Sequence, residues 1–428
     1  MQPGDKVKII ADEDYEGILV PSPDKSITIL KLESGYNIGI ANKKIKSKTL
    51  IEKGKEIKIP KQKVTQDKKL KTISILHTGG TIASKVDYKT GGTTPKFTSD
   101  DLIQMFPELQ KIANIESRLV RNMWSQDMRF GHYNIIAKEI EKEIKKGTDG
   151  IIVTSGTDTL HYTSSALSFM LEGLSIPVLV VGSQRSSDRG SSDAAMNLIN
   201  AVYFMANTDY AEVGTCMHYS SSDDECAILP GTAARKMHTT RRDAFKAINQ
   251  DPIALVNYKE ENIEIITKDY KKRSDSKLTP KLFNEKIKVA VLKQFTNMYA
   301  EQFSFFEGYD GLVIESTGLG NLPVTEKDDL TKEHTKILKA LEKLTKKTVV
   351  VLSPQTVFGR LNLNVYENAR TQQEVGILGN NNSMTTETTF IKLAWLLSNN
   401  KPEEVRELIL KDLRGELKER TEYEQEYV

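Results

Sequence analysis

Hydroxyl side chains beside glycines recur in this sequence where apolar runs end. TGGTIAS at 78–84 sets Thr78 and Thr81 around Gly79 and Gly80. The glycines permit a sharp turn and close approach of backbone to a ligand. Thr81 can be a nucleophile if a base takes its proton. SGTDTL at 155–160 offers Thr157 and Asp158 on a second turn. Lys236 lies in ARKMHTTRRDAF, residues 234–245, a segment too polar for a core strand. A lysine bonded to a carboxylate and a threonine can orient or deprotonate that hydroxyl, and partial burial helps by lowering its pKa. WSQDM at 124–128 supplies Ser125, Gln126 and Asp127, suited to gripping a carboxylate and an ammonium. Tyr88, in DYKTGGTTP at 87–95, can polarise a nearby hydroxyl from a loop able to serve as a lid.

Each feature also has a plainer reading. A lone TGGT turn can cradle a phosphate. The chain, however, has no GxxxxGK[ST] and no GxGxxG after a strand, so ATP and dinucleotide binding have little support. Asp158 can be a helix N-cap. Lys236 can be a surface lysine, Ser125–Asp127 a polar loop, and Tyr88 a packing anchor. The six histidines show no metal-ligand spacing such as HExxH, and no metal site is expected. His77, inside a strand, reads as a packed core residue.

The elements that must position these residues follow from apolar periodicity. TISILH, DGIIVT and IPVLVVG are buried strands, and HYNIIAKEIEKEIKKG (132–147) and DAAMNLINAVYFMA (193–206) have helical spacing. Strands alternating with helices predict a parallel sheet covered on both faces. Ligands in such sheets sit beyond the carboxyl ends of the strands, where the TGGT, SGTD and GSQR turns all fall. Pro107 must interrupt the helical LIQMFPELQKI (102–112). A polar segment, 267–285, reads as a linker between two domains. KIKVAVLKQF, DGLVIESTGLGN and TVVVLSPQT then predict a second, smaller α/β domain, and MTTETTFIKLAWLLSN (384–399) a capped helix. Residues 1–58 alternate in short strands and read as a small SH3-like β-barrel, followed by a Lys-rich linker at 59–71. The domains are thus expected at 72–268 and 286–402, joined by 269–285, with a charged helical tail at 403–428.

Composition excludes several classes. The chain has 428 residues with 60 basic against 58 acidic, too even for a global nucleic-acid footprint. The charge is uneven, however: residues 1–70 carry 15 Lys/Arg against 10 Asp/Glu. Two cysteines with no CxxC argue against a disulfide scaffold and favour a reducing compartment. No 18-residue apolar run occurs, and the start, MQPGDKVKII, lacks an apolar signal region. A cytoplasmic protein without membrane contact is expected.

TGGTIAS, SQDM, SGTDT, VGSQRSSDRGSSDAAMNL and RKMHTTRRDAF together resemble the bacterial-type L-asparaginase/glutaminase family over residues 72–402. The resemblance implies a two-domain α/β amidohydrolase core with its active site at a subunit contact. Thr81 matches the nucleophilic threonine and Tyr88 its flexible-loop partner, while Thr157, Asp158 and Lys236 match a second Thr–Asp–Lys set. Ser125 and Gln126 match substrate-carboxylate binders, with Gly80 and Gly156 of the two turns assigned to substrate binding beside them. Asp158 is further implied to hold the substrate amino group.

YEGILVPSPDKSITILKLESGYNIGIANKKI (15–45), HTTRRDAF and LRGELKER (413–420) look like the D-subunit family of the archaeal glutamyl-tRNA(Gln) amidotransferases. That likeness implies a glutaminase feeding ammonia to a partner, the amidotransferase E subunit. The partner would bind Glu-tRNA(Gln) and amidate it with ATP and Mg, leaving no cofactor on this chain. A homodimer within a heterotetramer is implied. A free-standing L-asparaginase with an appended β-barrel is the alternative.

Overall fold

The computed structural model describes residues 1–22, 24–33, 37–54, 66–80, 82, 84–86, 93–95, 98–187 and 190–420. Thr81 and Tyr88, and the last eight residues of the expected tail, lie outside these.

The N-terminal strands are Lys6–Ile10, Asp14–Val20, Ile27–Lys31, Asn37–Ala41 and Ser47–Glu52. They form an antiparallel sheet in which the first four follow one another and the fifth returns to pair with the first. In KVKII alternate residues turn inward, so Val7 and Ile9 join Leu19, Leu30 and Ile40 in a small core. The fifth strand, SKTLIE, has no apolar alternation and exposes Ile51, which is why its sequence gives no strand signal.

The main sheet has eight strands. Five run parallel, in the order Asn114–Leu119, Thr72–His77, Gly150–Thr154, Val178–Val181 and Val213–His218. The parallel expectation covers these five; Cys226–Pro230, Ala254–Asn257 and Asn262–Ile265 extend the sheet antiparallel. Strand alternation divides the core between the faces. Ile151, Val153, Val178 and Val180 pack toward the helices Phe130–Lys146 and Leu160–Met170, while Ile152, Leu179 and Val181 pack toward Ala194–Asn207. Both faces are covered, so these strands read as continuous apolar runs.

A second, three-stranded parallel sheet holds Val289–Lys293, Gly311–Ser316 and Val349–Pro354. Helix Thr386–Asn399, capped by the Thr385 hydroxyl, joins the two layers by lying against Leu160–Met170. At that crossing Ser165 Oγ lies 2.8 Å from Thr388 Oγ1. Pro107 does separate two short helices, Ser99–Met105 and Leu109–Ile112.

The segment expected as the linker, 269–285, packs closely against the first domain. Arg273 donates to the carbonyls of Asp149, Met205 and Thr208, and Phe283 stacks on Phe130 with centroids 4.7 Å apart. Among the described residues, the tail is helical only over Pro402–Leu408, short of the helix expected over 403–428. Beyond it, Glu416 turns inward onto Lys392, Nζ to Oε1 2.6 Å, with neither side chain exposed. A helical charge pattern does not show that one of its carboxylates has a buried partner.

His77 is a fully buried core residue, bonded to Thr154 Oγ1 at 2.8 Å and Ser117 Oγ at 3.0 Å. Burial pushes its pKa down to about 3, and that of the buried His161 down to about 4. Both rings stay neutral in the folded chain below pH 6.5, where the unfolded chain takes up protons. Stability should therefore fall as pH drops below 6.5, by about 1.4 kcal/mol per pH unit for each histidine until its folded pKa is reached. Denaturant midpoints at pH 7 and pH 5 check this, and equal midpoints would contradict it.

Candidate active site

Four loops meet at the carboxyl ends of the parallel strands. The first follows Thr72–His77. Thr78 donates from both its backbone N–H and its hydroxyl to the Thr154 carbonyl, at 3.1 and 2.8 Å, tying this strand end to its neighbour. Gly79 and Gly80 then adopt φ of 125° and 85°, open to glycine and strained for other residues. A Cβ on Gly80 would lie 2.7 Å from the Gly156 nitrogen, and one on Gly156 would lie 2.9 Å from Ser125 Oγ. Gly80 and Gly156 thus let the TGG, SGT and WSQ turns touch.

Gly80→Ala should destabilise the chain by about 1–3 kcal/mol, from strain at positive φ and the clash with the second turn. Thermal denaturation measures it, and a variant as stable as the parent would contradict the contact.

The second loop presents Thr157 and Asp158. Helix Leu160–Met170 begins after them, with Thr159 at its N-cap position. Asp158 is therefore no helix cap; its carboxylate oxygen lies 2.8 Å from Lys236 Nζ. The same Nζ donates to Thr157 Oγ1 at 3.0 Å. Lys236 ends the short strand Ala234–Lys236, which pairs with Phe245–Ala247 in a hairpin that carries the lysine to Thr157 and Asp158. Its side chain is only 10 % exposed, against 70 % for Asp158, so a mostly buried cation meets a carboxylate open to solvent. The surface-lysine reading is overturned.

The third loop, after Val178–Val181, supplies a residue that sequence reasoning did not single out. Thr157 Oγ1 donates to Gln184 Oε1 at 3.0 Å, so the hydroxyl is held between an amide oxygen and an ammonium. Among the described residues, buried Gln184 Nε2 has no hydrogen-bond partner. Asp193, fully buried, fixes this loop by accepting from Ser183 Oγ at 2.9 Å, Gln184 N at 3.0 Å and Arg185 N at 2.9 Å. The GSQR turn was legible as a strand end, but glutamine has no intrinsic signal that marks it as functional.

The fourth loop carries Ser125, buried, and Gln126, exposed, on the single turn Ser125–Asp127. Thr159 Oγ1 bonds the Ser125 carbonyl at 2.5 Å and locks this turn to the second. Ser125, Gln126, Thr159 and Tyr162 border a cleft of about 790 Å³. Behind Lys236, Arg235 Nε pairs with Glu387 Oε1 at 3.1 Å and so ties the hairpin to the second domain. Among the described residues, no group of three His, Cys, Asp or Glu side chains is placed to hold a metal ion. No helix there is long and apolar enough to cross a membrane.

The structure thus brings together Gly80, Ser125, Gly156, Thr157, Asp158 and Lys236. Gln126 adjoins this group, exposed beside Ser125 on the same turn. Threonine, aspartate and lysine in one hydrogen-bonded cluster where the turns at the strand ends meet define an asparaginase-like protein. Residues 72–271 match the family described as Asparaginase, N-terminal, and 288–409 the Glutaminase/Asparaginase C-terminal domain. Two solved structures agree. The thermostable L-asparaginase from Thermococcus kodakarensis gives a TM-score of 0.71 at 28 % identity, over 81 % of this chain and 99 % of that one. L-asparaginase I from Vibrio cholerae gives 0.69 at 26 %, over 82 % and 99 %.

Residues 1–50, absent from that core, match the GatD N-terminal domain. The glutamyl-tRNA(Gln) amidotransferase D subunit of Methanococcus maripaludis strain C6 is 41 % identical over 98 % of this chain and 99 % of its own. The Pyrococcus furiosus protein of the same name is 43 % identical over 97 % and 94 %. The chain belongs to the D-subunit family of the glutamyl-tRNA(Gln) amidotransferases.

Proposed function

We propose that this chain hydrolyses glutamine to glutamate and ammonia for a tRNA-dependent amidotransferase. The observation that carries the reading is the shared Lys236 ammonium, bonded to both Thr157 and Asp158 in a chain whose full-length relatives bear the amidotransferase name.

The chemistry is acyl transfer through a threonine ester. A threonine oxygen attacks the side-chain amide carbon, and the C–N bond breaks as the leaving nitrogen takes a proton and departs as ammonia. Water then cleaves the ester, releasing glutamate and restoring the hydroxyl. By the family likeness Thr81 is the first nucleophile, with Tyr88 beside it, and Thr157, Asp158 and Lys236 form the second set. Lys236 lies within hydrogen-bond reach of the Thr157 oxygen and of Asp158, and Gln184 accepts from the Thr157 hydroxyl and holds it in place. Backbone N–H groups of the turns at Thr81 or Thr157 are the proposed oxyanion donors. Ser125 and Gln126 would bind the substrate carboxylate, and Asp158 its ammonium.

In this proposal the chain works in the cytoplasm as a homodimer within a heterotetramer. The E subunit binds Glu-tRNA(Gln), uses ATP and Mg, and receives the ammonia; this chain binds no cofactor. The deciding experiment compares glutamine and asparagine turnover by the purified chain, alone and with the E subunit and Glu-tRNA(Gln). Glutamine hydrolysis stimulated by the partner supports the proposal. Vigorous asparagine hydrolysis by the chain alone, unaffected by the partner, would replace it with a free-standing asparaginase.

A further inference from the structure

Thr157 is gripped from two sides, by Lys236 where strand Ala234–Lys236 runs into its hairpin loop and by Gln184 on the loop after Val178–Val181. Both loops run back to one buried side chain, His218, at the end of strand Val213–His218. Its Nδ1 lies 2.6 Å from Asn197 Oδ1 and its Nε2 3.2 Å from Asp223 Oδ1. The Asn197 amide has one workable orientation, because its Nδ2 faces two acceptors at 3.0 Å, the Gly182 carbonyl and the Asp193 carboxylate. Its oxygen therefore faces His218, and Nδ1 of the ring must carry a hydrogen. Nε2 meets a carboxylate and must carry one too. A ring that donates from both nitrogens is an imidazolium.

Each acceptor leads to one side of the grip. Asn197 bonds Asp193, which holds the backbone N–H groups of Gln184 and Arg185. Asp223 bonds the Arg242 guanidinium, which also donates to the Ser221 carbonyl at 2.5 Å. Arg242 lies between strands Ala234–Lys236 and Phe245–Ala247, in the hairpin that carries Lys236.

We propose that His218, held as an imidazolium between Asn197 and Asp223, is the positioning residue that sets both sides of the Thr157 grip. The proposal rests on Thr157 and Lys236 belonging to the amide-hydrolysing site.

The surroundings suit the charge. Asp223 faces the ring from the loop at 219–225, and Asp193, at the N-cap of helix Ala194–Asn207, by way of Asn197. Cys226 faces it from the paired strand, with Cys216 beside Cys226, while Arg242 and Lys259 contact Asp223 from its far side. Burial works against the charged ring; the hydrogen bond with Cys226 and the Asp223 and Asp193 carboxylates act in the other direction, and His218 lies above its ordinary value. Burial also holds Cys226 far up as a neutral thiol, so the stabilising charge comes from the carboxylates. A raised pKa means the charged clasp persists to higher pH than an ordinary histidine would allow and is released as pH rises through the folded value.

The test uses the full-length chain, with the partner complex for turnover. Imidazole ¹⁵N NMR, assigned with His218→Gln, should show both His218 nitrogens protonated at pH 7. In Asp223→Asn one of them should lose its proton at a lower pH. In both variants the amides of 182–187 and 236–243 should exchange faster. Glutamine kcat should fall by roughly 10–100-fold with KM little changed, as for other positioning partners. The alkaline limb of the Asp223→Asn kcat profile should move to lower pH. Asp223 is 60 % exposed on its side chain, so that variant folds even if His218→Gln does not. A neutral His218 at pH 7 overturns the proposal, as does faster exchange confined to 219–225 or an unchanged kcat. If the wild type hydrolyses no glutamine while the NMR and exchange results hold, the functional reading fails and the positioning role stands.

Discussion

Thr157→Val is expected to lower glutamine hydrolysis by on the order of 10³-fold or more while the chain stays folded. Valine keeps the β-branched shape, so the turn before helix Leu160–Met170 can keep its backbone. The change removes only the oxygen that accepts from Lys236 and donates to Gln184. Each lost hydrogen bond costs about 1 kcal/mol of stability, far less than a domain's worth. Lys236→Met should cost a similar factor, and the double variant should be hardly worse than either single one, because the two groups act as a unit. Thr81→Val is the companion test. Steady-state glutaminase assays beside thermal melts decide the matter, and near-normal turnover in both valine variants would remove the threonine mechanism.

Glu416→Ala should destabilise the chain by about 3–5 kcal/mol, the cost of leaving a buried charge without its partner. Lys392 and Glu416 have no exposed side-chain surface. Burial pushes the Lys392 ammonium down and the Glu416 carboxyl up, each toward its neutral form, and the pairing opposes both shifts. Without Glu416, Lys392 keeps only the Lys411 carbonyl, and the backbone N–H groups of Leu413 and Arg414 lose their acceptor. The segment that places Arg414 near Trp395 and bonds Gln250 to the Gly415 carbonyl then loses its anchor. Replacing both partners, as Lys392→Met with Glu416→Leu, should recover most of the loss. Urea unfolding of the three proteins checks this; a Glu416→Ala midpoint equal to the parent's would contradict it.

Much of this protein was legible in its amino-acid order. Apolar runs such as DGIIVT and IPVLVVG announce buried strands because both faces of a parallel sheet are covered, and the turns after them fall where such sheets bind ligands. Thr157, Asp158 and Lys236 stood out because hydroxyl, carboxylate and amine are the groups that acyl transfer needs. What the sequence could not supply was contact between distant segments. Asp158 reads equally well as a helix cap until Lys236, 78 residues away, is seen to reach it. Gln184 and Asp193 have no local mark, since their roles exist only once one turn faces another. Glu416 looked like one more charge on a helical tail, and only the tertiary structure set it against Lys392. Local pattern reports which face of an element is apolar. Which polar groups share a buried space depends on how the layers close, and that is a property of the whole chain.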